Sequence, residues 1–174
     1  KNLRGIQLGQ NNLTGWDFHE QDLFGANLST SSLNNANLAG ANLTLASLES
    51  STFEGANFTG AIVTGVFLTG ATSRGFTAAQ LYSTQNYQSK NLRAIGLGQN
   101  SLIGWDFHDQ DLTGASLSSS SLTNANFTGA IITEANLFST TSRGFTATQL
   151  YSTHSYQTKN LRKIDLRGNT LTGW

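Results

Sequence analysis

From Leu3 to Leu68 every fifth residue is large and apolar: Leu3, Leu8, Leu13, Phe18, Leu23 and onward through Phe53, Phe58 and Val63 without a slip. The series restarts at Leu92 and runs to Leu137, then starts a third time with Leu161, Leu166 and Leu171. A period of five matches neither the 3.6 of a helix nor the 2 of a strand. If every fifth side chain points inward, the chain must turn a corner between successive ones. Four five-residue sides close a square coil, and coils stacked backbone to backbone lie ~4.8 Å apart. Two residues before each large residue stands a second, often small one, as at Ala26, Ala36, Ala41, Ala115 and Ala125, suited to filling a corner. Gly or a polar residue usually follows two places after. Asn, Ser and Thr take most remaining positions and face water. Stacking of this kind buries a continuous core that no single coil could make.

The stretches "ANLAGANLTLASL" (36–48), "GANFTGA" (55–61) and "ANFTGA" (125–130) resemble the pentapeptide repeat family, whose motif is approximately A-(N/D)-L-x-x. The resemblance covers nearly everything outside two interruptions. It implies an all-β solenoid, a right-handed quadrilateral β-helix, here interrupted by two short helix-containing inserts. Trp16, Gln21, Trp105 and Gln110 stand where the family has a small residue, so those corners must bulge or turn outward.

The interruptions are near copies, "RGFTAAQLYSTQNYQSKNLR" (74–93) and "RGFTATQLYSTHSYQTKNLR" (143–162). Leu68 to Leu92 and Leu137 to Leu161 are both 24 residues, and the restarts at Lys1, Lys90 and Lys159 are 89 and 69 residues apart. Those two lengths differ by 20, one whole coil, so both inserts meet the solenoid in the same phase. Each is expected to replace part of one coil, with about nine residues beyond three regular coils in the 69, and both to stack on one side, roughly 14 Å apart. Thr77 and Gln80 form a T-x-x-Q capping box with Phe76 and Leu81 as its hydrophobic staple, and Thr146, Gln149, Phe145 and Leu150 repeat it. A helix from about Ala78 to Thr84 should follow. So short a helix is marginal alone, which sets Leu81, Tyr82 and Tyr87 against the solenoid wall. The organisation is a single continuous solenoid over 1–174: a coil block at 1–71, an insert at 72–90, a second block at 91–140, an insert at 141–159 and a third start at 160–174.

Ten basic residues balance ten acidic ones, so nothing points to nucleic acid, and no apolar run is long enough for membrane insertion. Absent Cys excludes disulfides and thiolate metal sites. Asp17, His19, Glu20 and Asp22 read as a solvated acidic edge rather than a metal site, since Asp17 and Asp22 sit on adjoining sides. Neither a cofactor nor a catalytic site is expected: the histidine at 154 is Gln85 in the other insert, and no nucleophile–base spacing repeats. The candidate interaction surface comprises Arg74, Tyr82, Tyr87 and their copies Arg143, Tyr151 and Tyr156, with Trp16 and Trp105 of the duplicated "WDFH" stretch. Basic residues gather at each restart and acidic ones a coil later, a polarity suited to self-association. Asn12, Asn27, Asn42, Asn57 and Asn126 head N-glycosylation sequons that are also ordinary forms of the repeat.

These features point to a non-catalytic structural or scaffolding solenoid. It would be a segment of a longer rod or filament, bacterial and extracellular or at the cell surface, associating end to end or laterally. Open ends would template that pairing. The resemblance adds an alternative, a protein-binding module of the DNA-mimic, topoisomerase-binding type, which net zero charge disfavours. A weak glycan-binding surface is a further alternative; an ice-binding array would need Thr at every twentieth position, and no side keeps one.

Overall fold

The computed structural model describes residues 2–174. Parallel bridges join residues twenty apart: Asn2 to Asp22, Gln7 to Asn27, Asn12 to Ser32 and Asp17 to Asn37. These four pairs open sides I, II, III and IV of a square coil, and each regular coil that follows adds one rung to every side. Leu23 N donates to Asn42 O at 2.9 Å and Asn42 N to Gln21 O at 2.9 Å, so each rung binds the coil on either side of it.

The corners explain the period. A tight bond closes each one, as from Ala26 N to Leu23 O at 2.9 Å or Ala36 N to Leu33 O at 3.0 Å. The residue two places after the large one takes a left-handed backbone, with φ of 63° at Gly25, 58° at Asn35 and 64° at Gly40. Gly is frequent there because it adopts that conformation without steric cost. With so much of every five-residue side spent on the bend, pairing never extends past a single rung. The all-β expectation is therefore met by isolated parallel bridges, and no longer strand occurs among the described residues.

Inside, Leu23, Leu28, Leu33, Leu38, Leu43 and Leu48 are fully buried, with Ala36, Ala41 and Ala46 beside them. Side III differs in placing Ser at its corner. The buried hydroxyls of Ser31, Ser51 and Ser120 donate to Leu8 O at 2.9 Å, Leu28 O at 2.7 Å and Leu97 O at 2.8 Å. Each also accepts a backbone N–H from the preceding coil, those of Asn11, Ser31 and Asn100.

Phe67 bridges to Gly96 and Asn136 to Asp165, a spacing of 29 in both cases, so each insert lengthens one coil by nine residues. Only side II stays continuous along the whole stack, from Gln7 to Asp165. Both inserts take the place of sides III and IV, and two ordinary coils, carrying Asp106 and Asn126, lie between them. Each opens with a 3-10 turn, Ala71–Arg74 or Thr141–Arg143. Two helices follow in each: α1 (Ala78–Tyr82) and α2 (Gln85–Gln88), then α3 (Ala147–Tyr151) and α4 (His154–Gln157). The single helix expected to reach Thr84 is thus two. Thr84 Oγ1 donates to Leu81 O at 2.7 Å, ending α1, and accepts from Tyr87 N at 3.3 Å, capping α2. Thr153 does the same between α3 and α4.

Candidate interaction surface

Each insert is held to the preceding coil by its own cap. Thr77 N donates to Gln80 Oε1 at 2.8 Å while Gln80 N donates to Thr77 Oγ1 at 3.3 Å. The amide nitrogen left over on Gln80 donates to Phe53 O at 2.8 Å and Ala56 O at 2.9 Å. Gln149 reaches Leu122 O and Ala125 O, both at 2.8 Å, from its box with Thr146. Phe76 fills the interior 5.6 Å from Phe53 and 5.4 Å from Phe58, Phe145 stands 5.8 Å from Phe127, and Leu81 and Leu150 are buried beside them.

Toward the following coil the first insert closes a clamp. Tyr82 and Tyr87 stack at 4.4 Å. The Tyr82 hydroxyl accepts the Asp106 N–H at 2.6 Å, and the Tyr87 hydroxyl donates to the Asp106 carbonyl at 3.0 Å. Burial, then the nearby Asp106 carboxylate, pushes the Tyr87 hydroxyl up to about 12; burial raises Tyr82 as well. Trp105 turns under the insert, 6.3 Å from both Phe76 and Tyr82, and is only 7% exposed. Tyr82 and Tyr87 are half-buried, so three of the eight candidate side chains belong to an internal joint rather than an open surface.

The copies are placed differently. Tyr151 and Tyr156 lie 4.5 Å apart with their rings tilted by 37°, and a cavity of about 500 Å³ lies against them, lined also by Gln157, Lys159 and Leu161. Tyr156 is 40% exposed. Trp16, in the same local sequence as Trp105, is 48% exposed, with its ring 5.8 Å from that of Phe18. Arg74 and Arg143 are exposed, and neither forms an ion pair among the described residues. Their carbonyls accept from Phe53 N and Leu122 N, which continues side III into each insert. Beneath Arg74 a groove of about 710 Å³ is lined by Asn34, Glu54 and Gln80.

One arginine at each basic restart pairs with a carboxylate of a neighbouring coil. Arg4 meets Asp22 at 3.0 Å, Arg93 meets Asp111 at 2.7 Å, and Arg162 meets Glu134 of the preceding coil at 2.9 Å. The Arg4 hydrogen bond holds the Asp22 carboxyl below its ordinary value. The hydrogen bond from Arg167 brings Asp165 to about 2. Among the described residues no three His, Asp or Glu side chains converge as a metal site. Asp17 instead accepts from Asn37 at 2.9 Å on side IV, and Asp22 from Asn42 at 3.0 Å on side I.

The polar contacts that seat the inserts escaped sequence reasoning. Buried Asn100 accepts from Thr72 N at 2.8 Å and donates to Leu68 O at 2.9 Å, replacing the rung the 3-10 turn cannot supply. Asn169 does this for the second insert, accepting from Thr141 N at 2.7 Å and donating to Leu137 O at 2.8 Å. Asn86 accepts from Val63 N at 2.7 Å, a place held by the Ser155 hydroxyl in the copy. Gln110, buried at its corner, donates to Tyr87 O at 3.1 Å. The signal for Asn100 and Asn169 was weak: Asn stands at that corner in the coil after each insert, but also at Asn11, with Ser31, Ser51, Ala71, Ser120 and Thr140 elsewhere.

A square stack of twenty-residue coils, with inward Leu and Phe ladders and Asn-lined sides, defines a class of solenoid. The family description "Pentapeptide repeats" matches in eight copies over residues 2–36, 31–70 and 102–137, and the chain belongs to that family. Among solved structures it is similar to a pentapeptide repeat protein from the Arabidopsis thaliana thylakoid lumen. That match has 26% identity and a TM-score of 0.40, and covers 74% of this chain and 66% of the other. HetL, a pentapeptide repeat protein involved in heterocyst differentiation regulation in the cyanobacterium Nostoc, is 25% identical over 99% of this chain and 73% of its own, with a TM-score of 0.26. Rfr23, from the cyanobacterium Cyanothece, is 19% identical over 96% of this chain and 81% of its own, with a TM-score of 0.22. No curated protein matches the chain.

Proposed function

We propose that this chain is a non-catalytic structural rod that associates with itself end to end. The observation that supports the reading is the exposure of Trp16 at 48% and Tyr156 at 40%, whose counterparts Trp105 and Tyr87 are covered where the first insert closes on the Asp106 peptide. Burying these rings against a second copy would contribute ~25 cal/mol per Å² removed from water.

Sedimentation velocity across a range of concentrations tests this. Average mass should climb past that of a dimer, and Trp16→Ala or Tyr156→Ala should each return the chain toward monomer while circular dichroism stays unchanged. A chain that remains monomeric at all concentrations, or assembly indifferent to both substitutions, sinks the reading.

A further inference from the structure

The corner between sides III and IV of the first block carries polar groups and an indole in one line along the rod. Asn34 and Glu54 follow one another there, one coil apart, and Arg74 comes next, its carbonyl taking the Phe53 N–H at 2.9 Å. All three line the groove of about 710 Å³ under the first insert. Asn34 Oδ1 accepts from Glu54 N at 3.1 Å, which leaves its amide nitrogen to the groove. Glu54 and Arg74 are exposed, and neither forms an ion pair among the described residues. Gln80 offers little more, because its amide is engaged by Thr77, Phe53 and Ala56. On the same corner Trp16, 48% exposed, stands three coils below Arg74, roughly 14 Å away.

We propose that this corner binds a neutral, extended oligosaccharide, with one sugar ring on Trp16 and others in the Asn34–Glu54–Arg74 groove. One carboxylate and one guanidinium share the groove, so its charge favours neither an anion nor a cation. The carboxylate accepts, while the guanidinium and the Asn34 amide nitrogen donate. Each is a planar, two-pronged group, and neighbouring hydroxyls of a sugar, which both donate and accept, match that mixed set. The indole adds a broad apolar face on which the C–H side of a ring can lie. A groove of this volume is of the size that holds small ligands, but a ligand confined to it would not reach Trp16. The straight edge of the rod therefore selects a chain of several units, and an extended β-1,4-linked one over a coiled α-linked one.

The second insert is an internal control. Its own sequence is nearly the same, and a groove of about 520 Å³ lies beneath it. The coil under it differs: 69 residues on, Ile103 stands in the place of Asn34 and Thr123 in the place of Glu54. The tryptophan at that corner, Trp105, is only 7% exposed. Arg143 is thus left with neither the amide, the carboxylate nor the open indole, and the binding assigned to Arg74 has no counterpart there.

Isothermal titration calorimetry of the full chain with cellohexaose and with chitohexaose tests this. At least one should bind saturably, and its disaccharide, too short to touch both ends of the site, should bind at least tenfold more weakly. Trp16→Ala, Glu54→Ala and Arg74→Ala should each weaken hexasaccharide binding at least fivefold with circular dichroism unchanged, while Arg143→Ala should leave it as it was. Absence of saturable binding to both hexasaccharides overturns the proposal. So does a disaccharide that binds as well, or an Arg143→Ala loss equal to that of Arg74→Ala. Trp16 is shared with the end-to-end contact, so the two readings are separated at Arg74. Arg74→Ala should bind sugar poorly yet keep the sedimentation behaviour of the parent chain. A chain that assembles but takes no sugar fails this proposal alone; one that takes sugar and stays monomeric fails the rod alone.

Discussion

Asn100 is one side chain standing in for a missing piece of main chain. Where the insert leaves side III, the regular rung is lost and Thr72 N–H would face a buried corner unpaired. The Asn100 amide supplies both an acceptor for it and a donor to Leu68 O. Leaving a buried donor unsatisfied costs about 1–3 kcal/mol. Asn100→Ala should accordingly lower stability by about 2–3 kcal/mol in urea unfolding. Asn11→Ala, at the equivalent but exposed corner of the first coil, should change it by less than ~0.5 kcal/mol. A similar economy governs the outer ladders. Asn37 donates to Asp17 and Asn57 to Asn37, while Asn126 donates to Asp106. Gly75 shows the opposite need: its φ of 90° is left-handed, and an added Cβ would lie 3.0 Å from Glu54 N.

At the scale of the element, α1 and α2 are too short to persist alone and are fixed from both sides, by Gln80 below and the tyrosine clamp above. The clamp gives the joint a pH dependence. Tyr87, pushed up to about 12, lies above the 10.0 of an unperturbed tyrosine. The folded joint therefore holds its proton after an unfolded chain has begun to lose one. Its contribution is intact below pH 10 and is lost as pH rises toward 12. Fluorescence of Trp105, packed against Tyr82, should report loosening in that window. Tyr87→Phe should remove the hydroxyl's share of the pH dependence while weakening the joint at neutral pH. This joint marks how far the sequence could be read. Thr77 and Gln80 announce the helix start because a capping box is local, spanning four residues. That Gln80 also reaches Phe53 and Ala56 is long-range, and nothing within the insert encodes it. Likewise the sequence sets Tyr82 against the solenoid wall without naming its partner there, and only the coil count places Trp105 beside it. The ladders were legible throughout, since a strict period of five leaves a chain few other ways to bury its Leu residues. The pairing of Arg4 with Asp22 and of Arg93 with Asp111 was half-legible: the charge clusters were visible, but their facing required the twenty-residue coil.

For the whole molecule, two periods act together. Five residues decide whether a side chain points in or out; twenty decide which side of the square it occupies. The chain already contains a natural comparison, because its restarts at Lys1, Lys90 and Lys159 are separated by lengths that differ by one coil. Both inserts nevertheless occupy sides III and IV. Each coil touches only its neighbours, so removing one whole coil should subtract that coil's burial and leave every other interface as it was. Excision of residues 107–126 joins Asp106 to Phe127 and keeps the Tyr82–Tyr87 clamp, bringing the inserts one coil closer on the same sides. That chain should retain its circular dichroism per residue. Its urea m-value should fall by about 11%, in proportion to the surface lost. Excision of residues 107–124 removes eighteen and joins Asp106 to Ala125, which turns Phe127, Ile132 and Leu137 out of phase with the ladders below. It should lose cooperative unfolding between that joint and the second insert, since a side offset by two residues points its large residue at solvent. If the eighteen-residue deletion melts as sharply as the twenty-residue one, the core does not depend on the register that the bridges describe.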